Sequence, residues 1–235
     1  LDHITLFITL TLLFAFFIES IFGFAGSVIS LAILGYYVDI KTLTSIILFV
    51  ATIASISVVL TDRKSFNKKQ YLQMIALAIP GAIIGVILFD QLTSDILLKV
   101  LAILLLIMAF SSYYEPYLSK GSKSVLLLLS GIAHGIFGLG GIVAVGTMKN
   151  RFASKSQLRV TFAIFFISLN LIRAIQFSIQ GSLVSSVIID LWWIPVPMLL
   201  TIWLGHKVHL NISEVFFKKG ISVLLLISGI FLLLK

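Results

Sequence analysis

Eight apolar runs, at roughly 4–36, 42–61, 70–89, 96–114, 123–148, 156–180, 184–205 and 213–234, occupy almost the whole chain. A helix crosses the hydrocarbon core of a bilayer with about 20 apolar residues, so most of these runs have the length of one span. Of the 235 residues 60% are hydrophobic and 11% charged, against roughly 45–50% and about 25% in a soluble domain. A chain of this size has too little interior to hide that much apolar surface from water. A water-soluble globule and a disordered chain are both excluded, and no stretch remains for a folded soluble domain. The expected fold class is an all-α polytopic membrane protein, with the lipid bilayer as its surroundings and the plasma (inner) membrane as its place.

Two runs do not fit a single span. The first is too long and carries Gly23-Phe24-Ala25-Gly26 in its middle; the fifth carries Gly135, Gly138, Gly140 and Gly141. Glycine weakens a helix interior, so both runs are expected to be broken or re-entrant helices.

The basic residues test this reading. The chain has 17 Lys and Arg against 9 Asp and Glu, a net charge of +8. In a soluble protein that excess would suggest nucleic acid; in a membrane protein it marks cytoplasmic loops, and no nucleic-acid partner is expected. If the fifth run crosses an even number of times, the clusters around 63–69, 120–123, 149–159 and 207–219 fall on one side. That places 13 of the 17 basic residues in the cytoplasm, with only Lys41, Lys99 and Lys235 outside and Arg173 within the membrane. The same rule applied to the first run puts both termini outside. The start, Leu1-Asp2-His3, lacks the basic region of a signal peptide and reads as part of the mature fold. No cysteine is present, so disulfides and thiolate metal sites are excluded, and no metal site is expected.

Residues 1–115 and 116–235 then have opposite orientations, and they align. Phe22-Gly23-Phe24-Ala25-Gly26 matches Phe137-Gly138-Leu139-Gly140-Gly141 at an offset of 115. Thr44 follows with Thr161, Pro80 with Pro197, and Asp95–Lys99 with Glu214–Lys218. The chain is expected to form two inverted-topology repeats, each a broken or re-entrant helix followed by three transmembrane helices. Paired broken helices in inverted repeats are the sequence pointer to a secondary transporter with its site near the midplane.

These motifs resemble those of the sulfite exporter family (TauE/SafE, membrane anion permeases), over nearly the whole chain. The resemblance rests on Gly23-Phe24-Ala25-Gly26 and Gly138-Leu139-Gly140-Gly141, on Thr44-Ser45 and Arg159-Val160-Thr161 at the next helix, and on an apolar helix starting near Pro80 or Pro197. It implies transport of sulfite, sulfonates or other small sulfur-containing or organic anions, with no cofactor. The first motif has Ala25 where the family commonly has glycine, and neither motif is followed by the family's frequent proline.

An anion entering a bilayer needs replacement hydrogen bonds and positive potential, and helix N-termini offer both. Half-helices starting at Ser27 and Ile142 are expected, with Gly23, Phe24, Ala25, Gly26, Gly138, Leu139, Gly140 and Gly141 letting anion oxygens approach the backbone. Close packing through small residues is the structural alternative. Arg173 lies 14 residues beyond Arg159, about 21 Å along a helix, with Asn170 at i−3 and Gln176 at i+3. Its fork suits a sulfonate or carboxylate; snorkelling outward or pairing with Asp190 are the alternatives. Glu19 and His134 precede the two breaks at equivalent positions and can carry a coupled proton, or act structurally. Thr44, Ser45, Thr161 and Asn170 are candidates to line the cavity, although Ser and Thr often bond their own helix carbonyls. Trp192, Trp193 and Trp203 read as interfacial or packing residues.

The expected partners are a small anion and its coupled proton, and a homo-oligomer is compatible with the sequence. An intramembrane enzyme is the first competing class, but HExxH, GxSxG, a Cys nucleophile and paired intramembrane aspartates are all missing. A channel or assembly subunit is the second, and no filter-like carbonyl motif or charged ring is present.

Overall fold

The computed structural model describes residues 3–22, 26–111, 120–148, 151–181, 192–208 and 214–234. All regular structure among them is helical: α1 His3–Phe22, α2 Gly26–Leu34, α3 Ile40–Asp62, α4 Lys68–Gln91, α5 Ser94–Ser111, α6 Lys120–Phe137, α7 Gly140–Met148, α8 Lys155–Ile179, α9 Pro195–Val208 and α10 Glu214–Leu233. Four of the described helices, α1, α3, α4 and α8, are long and apolar enough to cross a membrane. Each glycine-bearing run is divided into two helices, α1 and α2 in the first and α6 and α7 in the second, and the shorter member packs back on the longer.

Polar residues in the connections set several starts. The Asp39 side chain accepts from the amides of Lys41 (3.0 Å) and Thr42 (3.1 Å) at α3. Asn67 accepts from the Gln70 amide at α4, and Ser154 from the Gln157 amide at α8, both at 3.1 Å. Each satisfies a helix N–H that has no carbonyl partner of its own. Burial pushes the Asp39 carboxyl up, but hydrogen bonds from Ser94, Thr42 and Lys41 outweigh it and hold the carboxyl below its usual range.

The helices pack in a definite pairing: α4 on α6, α1 on α9, α3 on α8 and α5 on α10. The α4–α6 contact is the tightest, because Gly81 and Gly85 face Gly131 and Gly135. A Cβ on any of the four would overlap a backbone carbonyl of the other helix. This is the small-xxx-small contact by which membrane helices associate when the hydrophobic effect offers nothing between them. Gly135, grouped with the break glycines on sequence, is therefore a packing residue. A second correction concerns Pro80, which lies within α4 rather than near its start, whereas Pro197 is in the first turn of α9.

The outward faces are apolar: Phe7, Leu10 and Phe14 on α1, Ile79, Ile83 and Ile87 on α4, and Leu171, Ile175 and Ile179 on α8 are all exposed. The interior holds Thr44, Ser45, Ser130, His134, Thr161, Asn170, Arg173 and Gln176, all buried. Lipid favours that distribution, since apolar side chains face hydrocarbon and polar ones find partners inside. Trp192 and Trp203 are exposed, and Lys207 Nζ lies 3.7 Å from the Trp203 ring centre.

Candidate functional site

The two breaks, α3 and α8 meet around one cleft of about 530 Å³, counting its open mouth. Each surrounding element contributes a face at helical spacing. From α3 come Thr44, Ile47, Leu48, Ala51 and Ser55; from α8, Phe166, Asn170 and Arg173. The first break supplies Glu19, Ser27 and Val28, and the second His134, Phe137, Gly138, Leu139 and Gly141.

Gly138 makes the second break. Its φ is +75°, a left-handed conformation that costs residues with a Cβ about 1–2 kcal/mol. Its amide donates to the His134 carbonyl at 2.7 Å, closing α6 with a left-handed cap. Helix resumes at Gly140, whose carbonyl accepts from Ser130 Oγ at 2.7 Å. A Cβ on Gly140 would stand 2.6 Å from the Ser130 carbonyl oxygen. Glycine is thus needed at 138 for conformation and at 140 for space.

At the first break, Gly23, Phe24 and Ala25 lie outside the described residues, as does the side chain of Ile142. Helix α2 begins at Gly26, and its amide donates to Glu19 Oε2 at 2.8 Å. The short helices therefore begin at Gly26 and Gly140, not at Ser27 and Ile142. The Glu19 carboxylate serves as the cap at one start, and the left-handed turn at Gly138 returns the chain to helix within two residues at the other.

Arg173 is 1% exposed, so it does not snorkel. Its Nη1 donates to the carbonyls of Gly135 and Ile136, the latter at 2.5 Å, in the last turn of α6. Those carbonyls lack helical partners and form the negative end of the helix dipole. The guanidinium also lies 4.8 Å from the Phe89 ring centre and 4.9 Å from that of Phe177, a cation–π sandwich that offsets part of its desolvation. Arg173 Nη2 has no partner among the described residues. Asp190, the alternative partner, lies outside them. Asp90 instead accepts from Gln176 and Gln180, each at 2.5 Å.

His134 Nε2 faces Asn170 Oδ1 at 3.0 Å. Asn170 Nδ2 donates to Thr52 Oγ1 at 3.1 Å, and that hydroxyl donates to the Leu48 carbonyl at 2.7 Å. The order of donors fixes the imidazole: Nε2 carries hydrogen, and in the neutral ring Nδ1 presents a lone pair. His134 Nδ1 is buried and unpartnered among the described residues. The ring stacks on Phe166, with centres 5.9 Å apart and planes within 5°.

Of the residues singled out on sequence, Glu19, Ser27, Thr44, His134, Gly138, Leu139, Gly141, Asn170 and Arg173 share this cleft. Thr161 does not line it: its hydroxyl accepts from the Asn67 amide at 3.0 Å and ties α8 to the start of α4. Thr44 and Ser45 bond the carbonyls of Lys41 and Thr42 in their own helix. Sequence reasoning missed Ser55, Thr52 and Phe166. The first lies on the Thr44–Leu48–Ala51–Ser55 face, a spacing visible in the chain.

A second cleft, of about 350 Å³, shares Glu19, Ser55 and Phe166 with the first. It is further lined by Phe16, Ser20, Ala54, Val58, Arg159, Ala163 and Ile202, and Arg159 Nη2 donates to the Ser20 carbonyl at 3.1 Å. One face of α8 therefore runs Arg159, Ala163, Phe166 through the second cleft and Phe166, Asn170, Arg173 through the first.

The family profile described as Sulfite exporter TauE/SafE matches residues 8–232. No curated protein and no solved structure gives a significant match.

Proposed function

The chain belongs to the sulfite exporter TauE/SafE family, and on that premise we propose a secondary transporter that carries sulfite, an organosulfonate or a similar small anion through the cleft between the two helix breaks. Family membership and the apolar helices make it a multi-pass membrane transporter of the sulfite-exporter type. The observation that carries the site is Arg173, a buried guanidinium with one nitrogen committed to α6 and Nη2 without a partner among the described residues. Burying a guanidinium nitrogen without an acceptor is costly, and an oxyanion supplies one. The amides at the start of α7, beside Gly138 and Leu139, add positive potential from a second direction.

The helix pairing supports two inverted repeats, 1–115 and 116–235. Exchanging the halves converts α1 on α9 into α6 on α4, and leaves α3 on α8 and α5 on α10 unchanged. The two clefts support alternating access. Arg159 and Arg173 lie about 21 Å apart along α8, most of the hydrocarbon thickness, and Glu19, Ser55 and Phe166 line both of their clefts, so these three form the partition in this reading. An anion passes from one arginine to the other when the halves rock and the partition yields.

Uptake of labelled sulfite into liposomes containing the purified protein tests the reading. Saturable uptake competed by ethanesulfonate is expected, with Arg173→Ala removing it and Arg173→Lys, which can still cap α6, raising KM about tenfold, the loss of one charge-assisted hydrogen bond. Normal transport by Arg173→Ala would overturn the site.

A further inference from the structure

The two helix starts at the cleft are not alike. At α2 the anion's place is already taken: Glu19 Oε2 accepts from the Gly26 amide at 2.8 Å. Glycine at 26 makes this approach feasible, since a Cβ there would stand 2.5 Å from the same oxygen. The start of α7 has beside it His134, whose Nδ1 is unpartnered, and the cleft also holds the unpartnered Nη2 of Arg173. One side of the cleft is thus occupied by a tethered carboxylate, while His134 and Arg173 on the other side each bring a buried polar atom without a partner among the described residues. Glu19 also belongs to the partition, with its side chain on both clefts.

A second negative charge cannot share the α2 amides with that carboxylate. Two like charges at about 4 Å repel by several kcal/mol in a partly buried site. Moving the carboxylate away uncharged removes the conflict, and a neutral carboxyl can donate its O–H to the incoming anion. Among the described residues, the other charged or titratable groups lining these clefts are Arg159 and Arg173 from α8 and His134 from α6; the described lining residues of α2, α3 and α9 bring none. The guanidiniums keep their charge across about pH 5.5 to about 8.5, which leaves His134 as the other titratable group among the described residues lining these clefts.

We propose that Glu19 is a tethered competitor of the transported anion, seated on the α2 amides when the cleft is empty and yielding them only on taking up a proton, so that one proton accompanies each anion. This rests on the transport reading above and assigns the coupling to Glu19 rather than His134. The step balances: the carboxylate gains one proton from the aqueous phase, its O–H donates to an anion oxygen, and a monoanion enters with no net change of charge in the cleft. On release the proton leaves and the carboxylate returns to Gly26.

Binding of ethanesulfonate and sulfate to the purified protein tests this, because neither probe changes protonation between about pH 5.5 and about 8.5, a range in which a buried carboxyl can titrate. Calorimetry should show affinity falling about tenfold per pH unit wherever Glu19 is charged in the empty protein. At a pH where Glu19 is charged in the empty protein, a weakly buffered wild-type sample should take up one proton per anion bound, a readout that needs no variant. Glu19→Gln should bind at high pH as tightly as the wild type does at low pH, with no proton uptake. Wild-type binding that is flat with pH and takes up no proton would overturn the proposal and leave the transport reading standing. A pH dependence that persists in Glu19→Gln would assign the coupling to His134 and overturn it equally. Failure of sulfite and both probes to bind at any pH would overturn the transport reading and this proposal with it.

Discussion

Asn170 holds His134 in one tautomer: its Oδ1 lies 3.0 Å from Nε2, while its Nδ2 is spent on Thr52 Oγ1 at 3.1 Å. Three helices, α6, α8 and α3, are joined by this chain of donors, and it ends at the buried Nδ1, which has no partner among the described residues.

Asn170→Ala should therefore do two things. It strands the Nε2 hydrogen of His134 in a buried site, which costs about 1–3 kcal/mol, and chemical denaturation in detergent should read that loss. It also frees the imidazole to turn, so anion affinity should fall even under conditions where the variant is fully folded. Unchanged affinity in folded Asn170→Ala would mean that His134 has no part in recognition.

The glycines separate by mechanism. Gly131→Ala and Gly135→Ala each drive a methyl into a carbonyl of α4, and overpacking of that kind costs about 1–3 kcal/mol or more. Gly138→Ala meets no atom within 4 Å, so its cost is conformational only, about 1–2 kcal/mol for a left-handed residue. Thermal unfolding in detergent should rank both packing variants below Gly138→Ala. The reverse order would show that α4–α6 contact tolerates separation.

How legible these features were in the chain depends on their range. Hydropathy and glycine placement are local, and they located the helical runs and their interruptions, with the short helices expected one and two residues later than their starts at Gly26 and Gly140. The Asn170–Arg173–Gln176 face was equally visible, because i−3 and i+3 neighbours share a helix side, and all three residues are buried together. Contacts between distant segments were not visible. Gly135 looked like part of the break because its partners, Ala82 and Gly85, lie on another helix. Thr161 looked like cavity lining, but its acceptor role toward Asn67 spans 94 residues. Phe166 looked like any apolar residue of α8, and its position on both clefts is a tertiary fact. The seat of Glu19 on Gly26 needed the geometry of the chain reversal, which no spacing rule supplies.

Asp39 gives an acid-sensitive contribution outside the spans. Its carboxyl is held below the ordinary range by Ser94, Thr42 and Lys41, so the folded state binds the proton more weakly than the unfolded state. That contribution is complete above the ordinary aspartate value of about 3.9 and is lost as pH falls through the lower folded value. Asp39→Ala should cost about 1 kcal/mol at neutral pH by removing the α3 cap. Asp39→Asn keeps an acceptor for the cap, so it should retain much of the stability while flattening the acid limb. Thermal unfolding at stepped pH distinguishes them; an unaltered acid limb in Asp39→Asn would assign that limb to other carboxyls.

Phe166 lines both clefts and stacks on His134. Its aromatic neighbours Phe162 and Phe165 lie on the same helix, 5.8 and 5.6 Å away between ring centres, so the ring is braced from behind. Removing it should join the clefts into one passage without touching either arginine. Phe166→Ala should thus raise the passive leak of sulfate from liposomes by about tenfold or more, the factor that about 1.4 kcal/mol of lost barrier is worth. The leak should need no anion on the opposite side, unlike carrier-mediated exchange. Phe166→Leu, which keeps most of the bulk, should remain tight, and it controls for loss of packing around His134. If Phe166→Ala transports as a tight, saturable carrier, the ring is not the barrier, and the closure must come from Glu19 and Ser55 instead.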